Sequence, residues 1–430
     1  MNELMNKKDG EVPFIDICYG LYLFVDRLYK ALVQREAADV LFFAREGQLL
    51  KEMFDFYQSS LVDKKKIKSH YLKVSRRSTF LLSLGPLHQE GFDVLFRQYR
   101  RISILDFLKS LDLVDSAELF ARELGVSHEA LAEVSSDLPT DMRFLKLLQL
   151  PVFREIYESQ RLERSLAFSH YVKELLGVPD LPSSLHVVDV GWKGSIQDNV
   201  YHWFAKEKGA AARVNGYYVG LIAPGASNAE NTKLGLLFSS IEGRTPGFQV
   251  FNENRSLYEV ILHADHGSAR RYSFSEAAGV RVIEDEIADA AMILELVRPV
   301  SLVLMEKFRK LVIAMQVAKL SDDDLLKLAV NRHGRMVFNP SKKEIEWIFS
   351  VSHVENFGVF EESWFGDEEK PVSLLRKMKF TWSLIMLRRP SQLGFWPWLT
   401  IRRNALPGMA AVYEIVRLRQ SRAKPANGAG

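Results

Sequence analysis

Short apolar runs alternate with stretches of helical spacing along residues 13–275 of this chain. The four clearest runs are residues 39–44, 70–75, 185–190 and 214–222, and residues 233–240 are a candidate edge strand. Strands of a parallel sheet have this near-continuous apolar character because helices cover both faces of the sheet. The alternation of strand and helix therefore predicts an α/β fold with a mostly parallel, Rossmann-like sheet.

Three regions lie outside this sheet pattern. Residues 92–180 show helical spacing without a convincing strand, which predicts a helical insertion or cap within an α/β domain of residues 1–275. Residues 276–370 are predicted to form a helical region. Residues 371–430 form a C-terminal segment that differs from the rest in composition.

The C-terminal segment 371–430 concentrates positive charge. It has 11 Lys or Arg and one acidic residue, a net +10, which leaves −7 on the rest of a chain whose net charge is +3. Trp382, Trp396 and Trp398 lie among these basic residues. Such a composition suits an anionic membrane surface, and it would also suit nucleic acid. We expect peripheral membrane contact and no nucleic acid; the alternative is a solvated helical tail whose aromatic residues pack on the body.

The single cysteine, Cys18, excludes a disulfide framework and a multi-cysteine zinc site. One cysteine is typical of a protein from a reducing compartment. The early apolar stretch 14–32 is interrupted by Asp16, Asp26 and Arg27, so it predicts a buried or amphipathic helix and neither a secretory signal nor a membrane span. We therefore expect a cytoplasmic protein.

Ligands of open α/β sheets bind at the carboxyl ends of the strands. The first strand end carries Arg45, Glu46 and Gly47. Arg45 could grip a phosphate, Glu46 could bind a sugar hydroxyl or a metal ion, and Gly47 lets the backbone approach a ligand closely. The alternative is an ordinary pair of surface charges on a turn.

The second strand end has two arginines between hydroxyl residues. Ser75, Arg76 and Arg77 precede a predicted helix, and this makes a plausible anion site at the helix N-terminus. The alternative is that Ser75 only caps the helix.

The third strand end carries the largest number of residue types that could bind a ligand or take part in catalysis. It places an acid at the tip of a buried strand, then two glycines and a hydroxyl at the start of a helix: Asp189, Gly191, Trp192, Gly194, Ser195 and Gln197. This arrangement is phosphate-loop-like, although it is neither a Walker A loop nor a dinucleotide fingerprint. Asp189 could hold ribose hydroxyls or stabilise positive charge at a sugar carbon. The alternative is that Asp189 caps the helix and Trp192 packs.

A fourth segment contains Glu259, His263, His266, Gly267 and Ser268. Glu259 and His263 would share one face of a helix, and either could act as a base or contact a sugar. The two histidines lack an HExxH pattern, so we predict no metal site in the protein. The alternative is a structural histidine whose hydrogen bonds are satisfied.

Together the four segments resemble those of a family of bacterial surface-polysaccharide proteins, the dual-domain ribofuranosyltransferases. The matching motifs are FFAREG (42–47), YLKVSRR (71–77), VDVGWKGSIQ (188–197) and E-x3-HADHGS (259–268), in the same order and at similar spacing over residues 13–275. In that family one domain is a haloacid-dehalogenase-like phosphatase and the other a divergent glycan phosphoribosyltransferase. The resemblance implies a phosphoribosyltransferase-like sheet and transfer of 5-phosphoribosyl from phosphoribosyl diphosphate to a glycan.

Two features depart from the family pattern. The first motif is often Arg-Asp-Gly in the family, whereas this chain has Glu46 in the middle position. The phosphatase pattern is also missing from these residues, so a separate phosphatase is expected to remove the 5-phosphate.

On this resemblance we expect specific roles for the four segments. The expected catalytic residues are Asp189, Glu46, Glu259 and His263. The expected donor-binding residues are Arg45, Gly47, Ser75, Arg76, Arg77, Gly191, Trp192, Gly194, Ser195 and Gln197. His266, Gly267 and Ser268 are expected to contact acceptor or donor.

The implied reaction belongs to O-antigen or capsule biosynthesis. We expect Mg²⁺ to arrive with the donor diphosphate, because Mg²⁺ prefers substrate phosphates and one or two carboxylates. The expected acceptor is a lipid-linked glycan at the inner membrane face. The alternatives are a glycosyltransferase that uses a nucleotide sugar and a non-catalytic scaffold of a polysaccharide assembly complex.

Overall fold

The computed structural model describes residues 12–97, 99–223, 227–241, 244–287, 290–352, 372–387 and 393–422. Five parallel strands form the main sheet in the order β2-β1-β3-β4-β5: β1 (Asp39–Phe43), β2 (Lys68–Leu72), β3 (Ser184–Asp189), β4 (Arg213–Leu221) and β5 (Asn231–Ser239). A separate antiparallel hairpin joins β6 (Ala269–Ser275) to β7 (Gly279–Glu284). The predicted α/β class and parallel sheet are confirmed, with β5 at the edge.

The helices follow the chain in this order: α1 (Ile17–Gln34), α2 (Gly47–Ser59), α3 (Arg76–Ser83), α4 (Asp93–Phe96), α5 (Ile104–Ser110), α6 (Ala117–Leu124), α7 (His128–Ala132), α8 (Met142–Gln149), α9 (Pro151–Leu176), α10 (Ser195–Lys208), α11 (Phe248–Phe251), α12 (Ser256–Ile261), α13 (Ala290–Met292), α14 (Arg298–Ala318), α15 (Asp322–Phe338), α16 (Lys342–Ser352), α17 (Leu374–Leu387), α18 (Pro397–Asn404) and α19 (Met409–Arg422). A π-helical turn, Ile293–Val297, leads from α13 into α14. The predicted helical C-terminal region is confirmed.

Two apolar layers cover the two faces of the sheet. One face packs on α1, α2, α14 and α15, with Phe42 and Val188 pointing into that layer. The other face packs on α9 and α10, with Phe43 and Val187 pointing into it. Successive residues of a strand point to opposite faces, so β1 and β3 bury nearly every side chain, as their apolar sequences require.

The helical insertion has an apolar core of its own. Aromatic side chains dominate it, and Phe107 packs edge-on against Phe92 and Phe144 with ring centroids 4.9 and 4.8 Å apart. Within 92–97 and 99–180 the structure contains no strand, as the sequence predicts. The second half of α9 belongs to the main body instead, because Phe168 and Val172 pack under the sheet.

The boundary proposed at residue 275 does not divide the structure. The hairpin β6–β7 crosses it, and the short strand β7 is only partly buried and has no continuous apolar run that would reveal it. Helices α14 and α15 also share one continuous core with α1, which begins the α/β part. The helical region therefore completes the α/β body and has no separate core among the described residues.

The C-terminal segment contributes to this core as well. Trp396 is fully buried and its indole N–H donates to the Val337 carbonyl oxygen at 2.9 Å. Trp398 is also buried, beside Glu253. These two tryptophans are structural, so the expectation that they meet a membrane is wrong; Trp382, on α17, is exposed. No helix in the described residues is both long and apolar enough to span a bilayer.

Candidate active site

The carboxyl ends of β1 and β3 lie side by side where the strand order reverses. Phe42 on β1 pairs with Val188 on β3. The helix after β1 packs on one face of the sheet, and the helix after β3 packs on the other. The two connections diverge and leave a crevice, which is where doubly wound sheets bind their ligands. Glu46 follows β1 and Asp189 ends β3, so the first and third strand ends meet at this crevice.

Three carboxyl groups interact here. Burial, followed by the charges of Glu46 and Glu259, raises the pKa of Asp189 to about 8. Burial and the charge of Glu46 raise the pKa of Glu259 to about 7. The charge of the Arg76 guanidinium lowers both pKa values. Buried carboxyl groups that raise one another's pKa in a cleft are typical of functional sites.

Asp189 does not cap the helix that follows it. Its Oδ1 accepts the neighbouring Val190 N–H at 2.8 Å, and α10 begins instead after Gly194, with no side-chain cap. Ser195 is the first residue of that helix and is half-buried. The alternative role of Asp189 as a helix cap is therefore wrong.

Trp192 links the third and fourth segments. Its indole N–H donates to Glu259 Oε1 at 3.0 Å, which lowers the pKa of that carboxyl group against the effect of burial. The Arg255 guanidinium lies 5.8 Å from the Trp192 ring centroid. Glu259 belongs to α12, so this hydrogen bond fixes the orientation of a helix-borne carboxylate toward the loop after β3.

The arginines of the second strand end separate into two environments. Arg76 is exposed beside the crevice carboxyl groups. Arg77 is engaged elsewhere, donating to Asp112 Oδ1 at 2.7 Å and to Asp285 Oδ1 at 3.3 Å. Ser75 caps α3 by accepting the Ser78 N–H at 3.0 Å. The capping alternative for Ser75 is thus confirmed, and of these three residues Arg76 faces the site.

A chain of polar contacts borders the crevice on the β2 side. The Tyr71 hydroxyl lies 2.6 Å from His266 Nε2 and 3.2 Å from the Arg45 carbonyl oxygen. His266 Nδ1 lies 3.1 Å from Glu284 Oε1, which pairs with Lys73 Nζ at 2.9 Å. Burial and the charges of Glu46 and Glu284 raise the pKa of Tyr71. Tyr71 therefore links His266 to the loop after β1 that carries Arg45.

Two glycines allow backbone segments to meet at this edge. Gly191 has φ +141°, a conformation that side chains rarely adopt, and a Cβ atom there would collide with the Gly220 carbonyl oxygen. A Cβ atom on Gly267 would collide with the carbonyl oxygen of Asp285, which closes the hairpin base. Neither site tolerates alanine without movement of the backbone, so the loop after β3 and the fourth segment depend on these glycines.

Two predicted site residues make buried contacts of their own. Gln197 is fully buried, accepts from the Tyr218 hydroxyl at 2.6 Å and donates to Asn231 Oδ1 at 2.7 Å. It joins α10 to β5, so the structure does not bring this side chain to the crevice. His263 lies just beyond the end of α12, is largely buried, and its Nδ1 lies 2.6 Å from the Ala264 carbonyl oxygen. The expected shared helix face with Glu259 is therefore absent.

The remaining predicted residues line or support the same edge. Arg45 and Glu46 are half-buried in the loop after β1, and Gly47 begins α2 beneath them. A Cβ atom on Gly47 would lie 3.0 Å from the Phe42 backbone. Ser268 contributes its carbonyl oxygen, which accepts the Asp285 N–H at 2.9 Å.

No group of three or more metal-ligating side chains is assembled within the described residues. Two cavities among the described residues lie elsewhere. One, of about 280 Å³, lies between α1 and α15. The other, of about 590 Å³, opens at the amino ends of β1 and β3. We assign the site to the crevice despite this, because the perturbed carboxyl groups and the switch in strand order coincide there.

Several important residues carry no signal in the sequence pattern. Tyr71 belongs to a quoted motif, but nothing in its spacing shows that its hydroxyl meets His266. Glu284 and Asp285 lie at the end of the unpredicted hairpin. Asp112 lies in the insertion, where only the folded chain reveals that four arginines surround it. A cluster made by distant segments of the chain leaves no local signature.

The fold defines a doubly wound α/β protein. Its candidate site is a crevice at the topological switch point, where carboxyl groups lie beside an arginine. Comparison with protein-family models and with curated proteins finds no match for this chain.

Proposed function

We propose that this chain is a glycosyltransferase that transfers 5-phosphoribosyl from phosphoribosyl diphosphate to a glycan acceptor. The observation that supports it best is the crevice with Asp189, Glu46 and Glu259 beside Arg76. Loss of diphosphate leaves an oxocarbenium-like ribosyl centre, which needs a fixed negative charge, and the leaving diphosphate needs cationic partners. The crevice supplies both kinds of group at one strand edge.

In this proposal the donor lies across the switch point. Arg45 and Arg76 bind its phosphates, and the loop from Gly191 to the start of α10 offers backbone N–H groups at a helix N-terminus. Asp189, at the tip of β3, faces the ribosyl carbon that becomes positively charged. Positive charge developing there favours ionisation of a carboxyl group whose pKa is about 8 in the chain alone.

Glu259 is the proposed general base. Its pKa of about 7 suits removal of a proton from the acceptor hydroxyl near neutral pH. The Trp192 indole N–H holds the carboxylate oriented. Tyr71 and His266 form the opposite wall, where they are placed to contact acceptor or donor hydroxyls.

The site suits a divalent cation that is carried with the donor. The charges of Glu46 and Asp189 repel each other, so a cation between them would be favourable, and it would be held by one or two carboxylates and by the substrate phosphates. Bound Mg²⁺ would neutralise charge on the diphosphate. We place the reaction in the cytoplasm, at the inner membrane face, with a lipid-linked acceptor and a separate phosphatase for the 5-phosphate.

The deciding experiment is calorimetric titration of the purified protein with phosphoribosyl diphosphate and Mg²⁺. Nucleotide sugars and ribose 5-phosphate are the comparison ligands. We expect binding of phosphoribosyl diphosphate alone. Binding of a nucleotide sugar instead would establish the alternative transferase, and binding of no donor, with or without a glycan acceptor, would favour the scaffold.

Arg76 and Arg77 make a matched pair for this titration. Arg76→Ala should weaken donor binding roughly 10- to 100-fold, the effect of losing a charged hydrogen bond to phosphate, with little change in melting temperature. Arg77→Ala should lower the melting temperature, because it removes one of the four arginines around the buried Asp112 and the ion pair with Asp285. Equal loss of donor affinity in both variants, at unchanged stability, would contradict the separation of the two arginines.

Trp192→Phe tests the orientation of Glu259. Removing the indole N–H removes a hydrogen bond to the ionised carboxylate, so the pKa of Glu259 should rise above about 7. The acidic limb of the pH–rate profile should then move to higher pH, since the base must be ionised to act. A profile that keeps its midpoint would argue against Glu259 as the base.

A further inference from the structure

Helix α17, Leu374–Leu387, presents a continuous apolar face to solvent. Six large side chains on it are between 52% and 67% exposed: Leu374, Leu375, Met378, Trp382, Ile385 and Met386. At about 100° per residue all six fall within an arc of roughly 120°. Exposed apolar residues gathered on one face mark an interaction site, whereas scattered ones do not.

The opposite side of the helix holds it on the body of the protein. Phe380 and Leu384 pack against Leu393 and Ile401. At the edge of the arc, next to Leu374 by the same angular count, the Thr381 hydroxyl is buried and accepts the Leu406 N–H at 2.9 Å. The apolar arc therefore points outward from an anchored helix and is not the unpacked side of a loose one.

The charged residues of the helix indicate which kind of partner would bind the arc. By the same angular count Lys379 lies about 20° beyond one end of the arc, and Lys377 lies about 60° beyond the other end, past Thr381. The sequence from 371 to 413 contains no acidic residue, and Arg388 and Arg389 follow the helix. An apolar arc with Trp382, on a helix whose charged residues are all basic, matches the interface of an anionic bilayer.

We propose that α17 docks the protein on an anionic lipid surface, lying in the plane of the membrane with the arc inserted among the lipids. Nucleic acid fits less well, because the arc offers no polar groups to phosphates or bases. At 14 residues the helix is about 21 Å long, which suits a surface helix and is too short to span. The argument rests on α17 alone and does not depend on the proposed transfer reaction.

The test is sedimentation of the full chain with vesicles, without any donor. One vesicle type is phosphatidylcholine with about one-third phosphatidylglycerol, and the other is phosphatidylcholine alone. We expect binding to the anionic vesicles, weakened by salt. The double variant Met378→Glu with Trp382→Glu should abolish it, because two charges would enter the apolar arc. Deleting 371–430 would be a poor test, since Trp396 belongs to the core.

The matched control is Ile313→Glu with Val317→Glu. These residues are also exposed, four positions apart, on α14 outside the arc. The control should bind vesicles like the unaltered chain. Lys377→Gln with Lys379→Gln should weaken binding about 25-fold, taking about fivefold for each basic residue.

Three outcomes would overturn the proposal. The unaltered chain could fail to bind both vesicle types, or the α17 variant could bind vesicles as well as the control does. Alternatively, the unaltered chain could ignore vesicles and self-associate in sedimentation velocity, while the α17 variant stays monomeric. That last result would assign the face to a protein interface between copies of the chain.

Discussion

Asp189→Asn should leave the protein more stable than the unaltered chain at neutral and alkaline pH, while reducing phosphoribosyl transfer by at least about 100- to 1,000-fold. Loss of activity follows because an amide carries no charge to place beside the ribosyl centre. The gain in stability follows because the folded chain must keep a carboxyl group in a buried crevice beside Glu46 and Glu259. Asparagine has nearly the same shape and can still accept the Val190 N–H.

The direction of the pH dependence is set by the raised pKa of Asp189. Between the ordinary value of 3.8 and about 8, the folded chain keeps a proton on Asp189 that the unfolded chain has lost. Stability of the unaltered chain therefore falls as pH rises through that window, by at most about 1.4 kcal/mol per pH unit from this group. Asp189→Asn has no such titrating group at this position. The difference in melting temperature between this variant and the unaltered chain should therefore grow from about pH 5 to about pH 8.

Glu253→Gln is the matched control for Asp189→Asn. Burial raises the pKa of Glu253 to about 7, so it is also a buried carboxyl group that titrates near neutral pH. It differs in having fixed partners: the Trp398 N–H at 2.8 Å, the Tyr413 hydroxyl at 2.9 Å and Arg417. Glu253→Gln should lower the melting temperature and leave donor affinity intact. A stability gain in Glu253→Gln, or none in Asp189→Asn, would contradict the assignment of Asp189.

The contrast between Asp189 and Gln197 shows how much of the site the sequence can predict. Asp189 ends an apolar strand before two glycines, and that local pattern was enough to predict a strand end with an acid at the edge of the sheet. Gln197 belongs to the same segment, yet one helical turn carries it under the sheet to Tyr218 and Asn231. Linear spacing indicates which segment reaches the crevice, but the packing of α10 on β4 and β5 decides which side chain does.

The same reasoning applies to the tail. Trp382, Trp396 and Trp398 look equivalent in sequence, since each has basic residues nearby. In the structure Trp396 packs against Phe14, with ring centroids 5.9 Å apart, a contact across nearly the whole chain. Burial of an aromatic side chain depends on such distant partners, and composition cannot show them. The sheet was predictable because each of its strands is local; the hairpin and the buried tail were not.

Asp112→Asn should destabilise the protein by about 3–5 kcal/mol, the range for breaking a buried ion pair by removing one partner. The Asp112 side chain is fully buried. Its Oδ1 accepts from Arg77 at 2.7 Å and from Arg270 at 2.6 Å. Arg164 and Arg271 lie 3.4 and 3.7 Å from Oδ2. Asparagine would leave four guanidinium groups without this charge.

These four arginines come from α3, α9 and β6, so one carboxylate of the insertion ties it to three parts of the body. The buried Arg164 makes the loss severe, since burial already lowers its pKa and water cannot replace the lost counter-charge. Asp115→Asn is the control. Asp115 pairs with Arg270 and Arg271 at 3.4 and 3.5 Å but is exposed, so the change should be below about 1 kcal/mol. Urea unfolding measures both variants, and comparable losses would show that the insertion is held by its surface charges and not by Asp112.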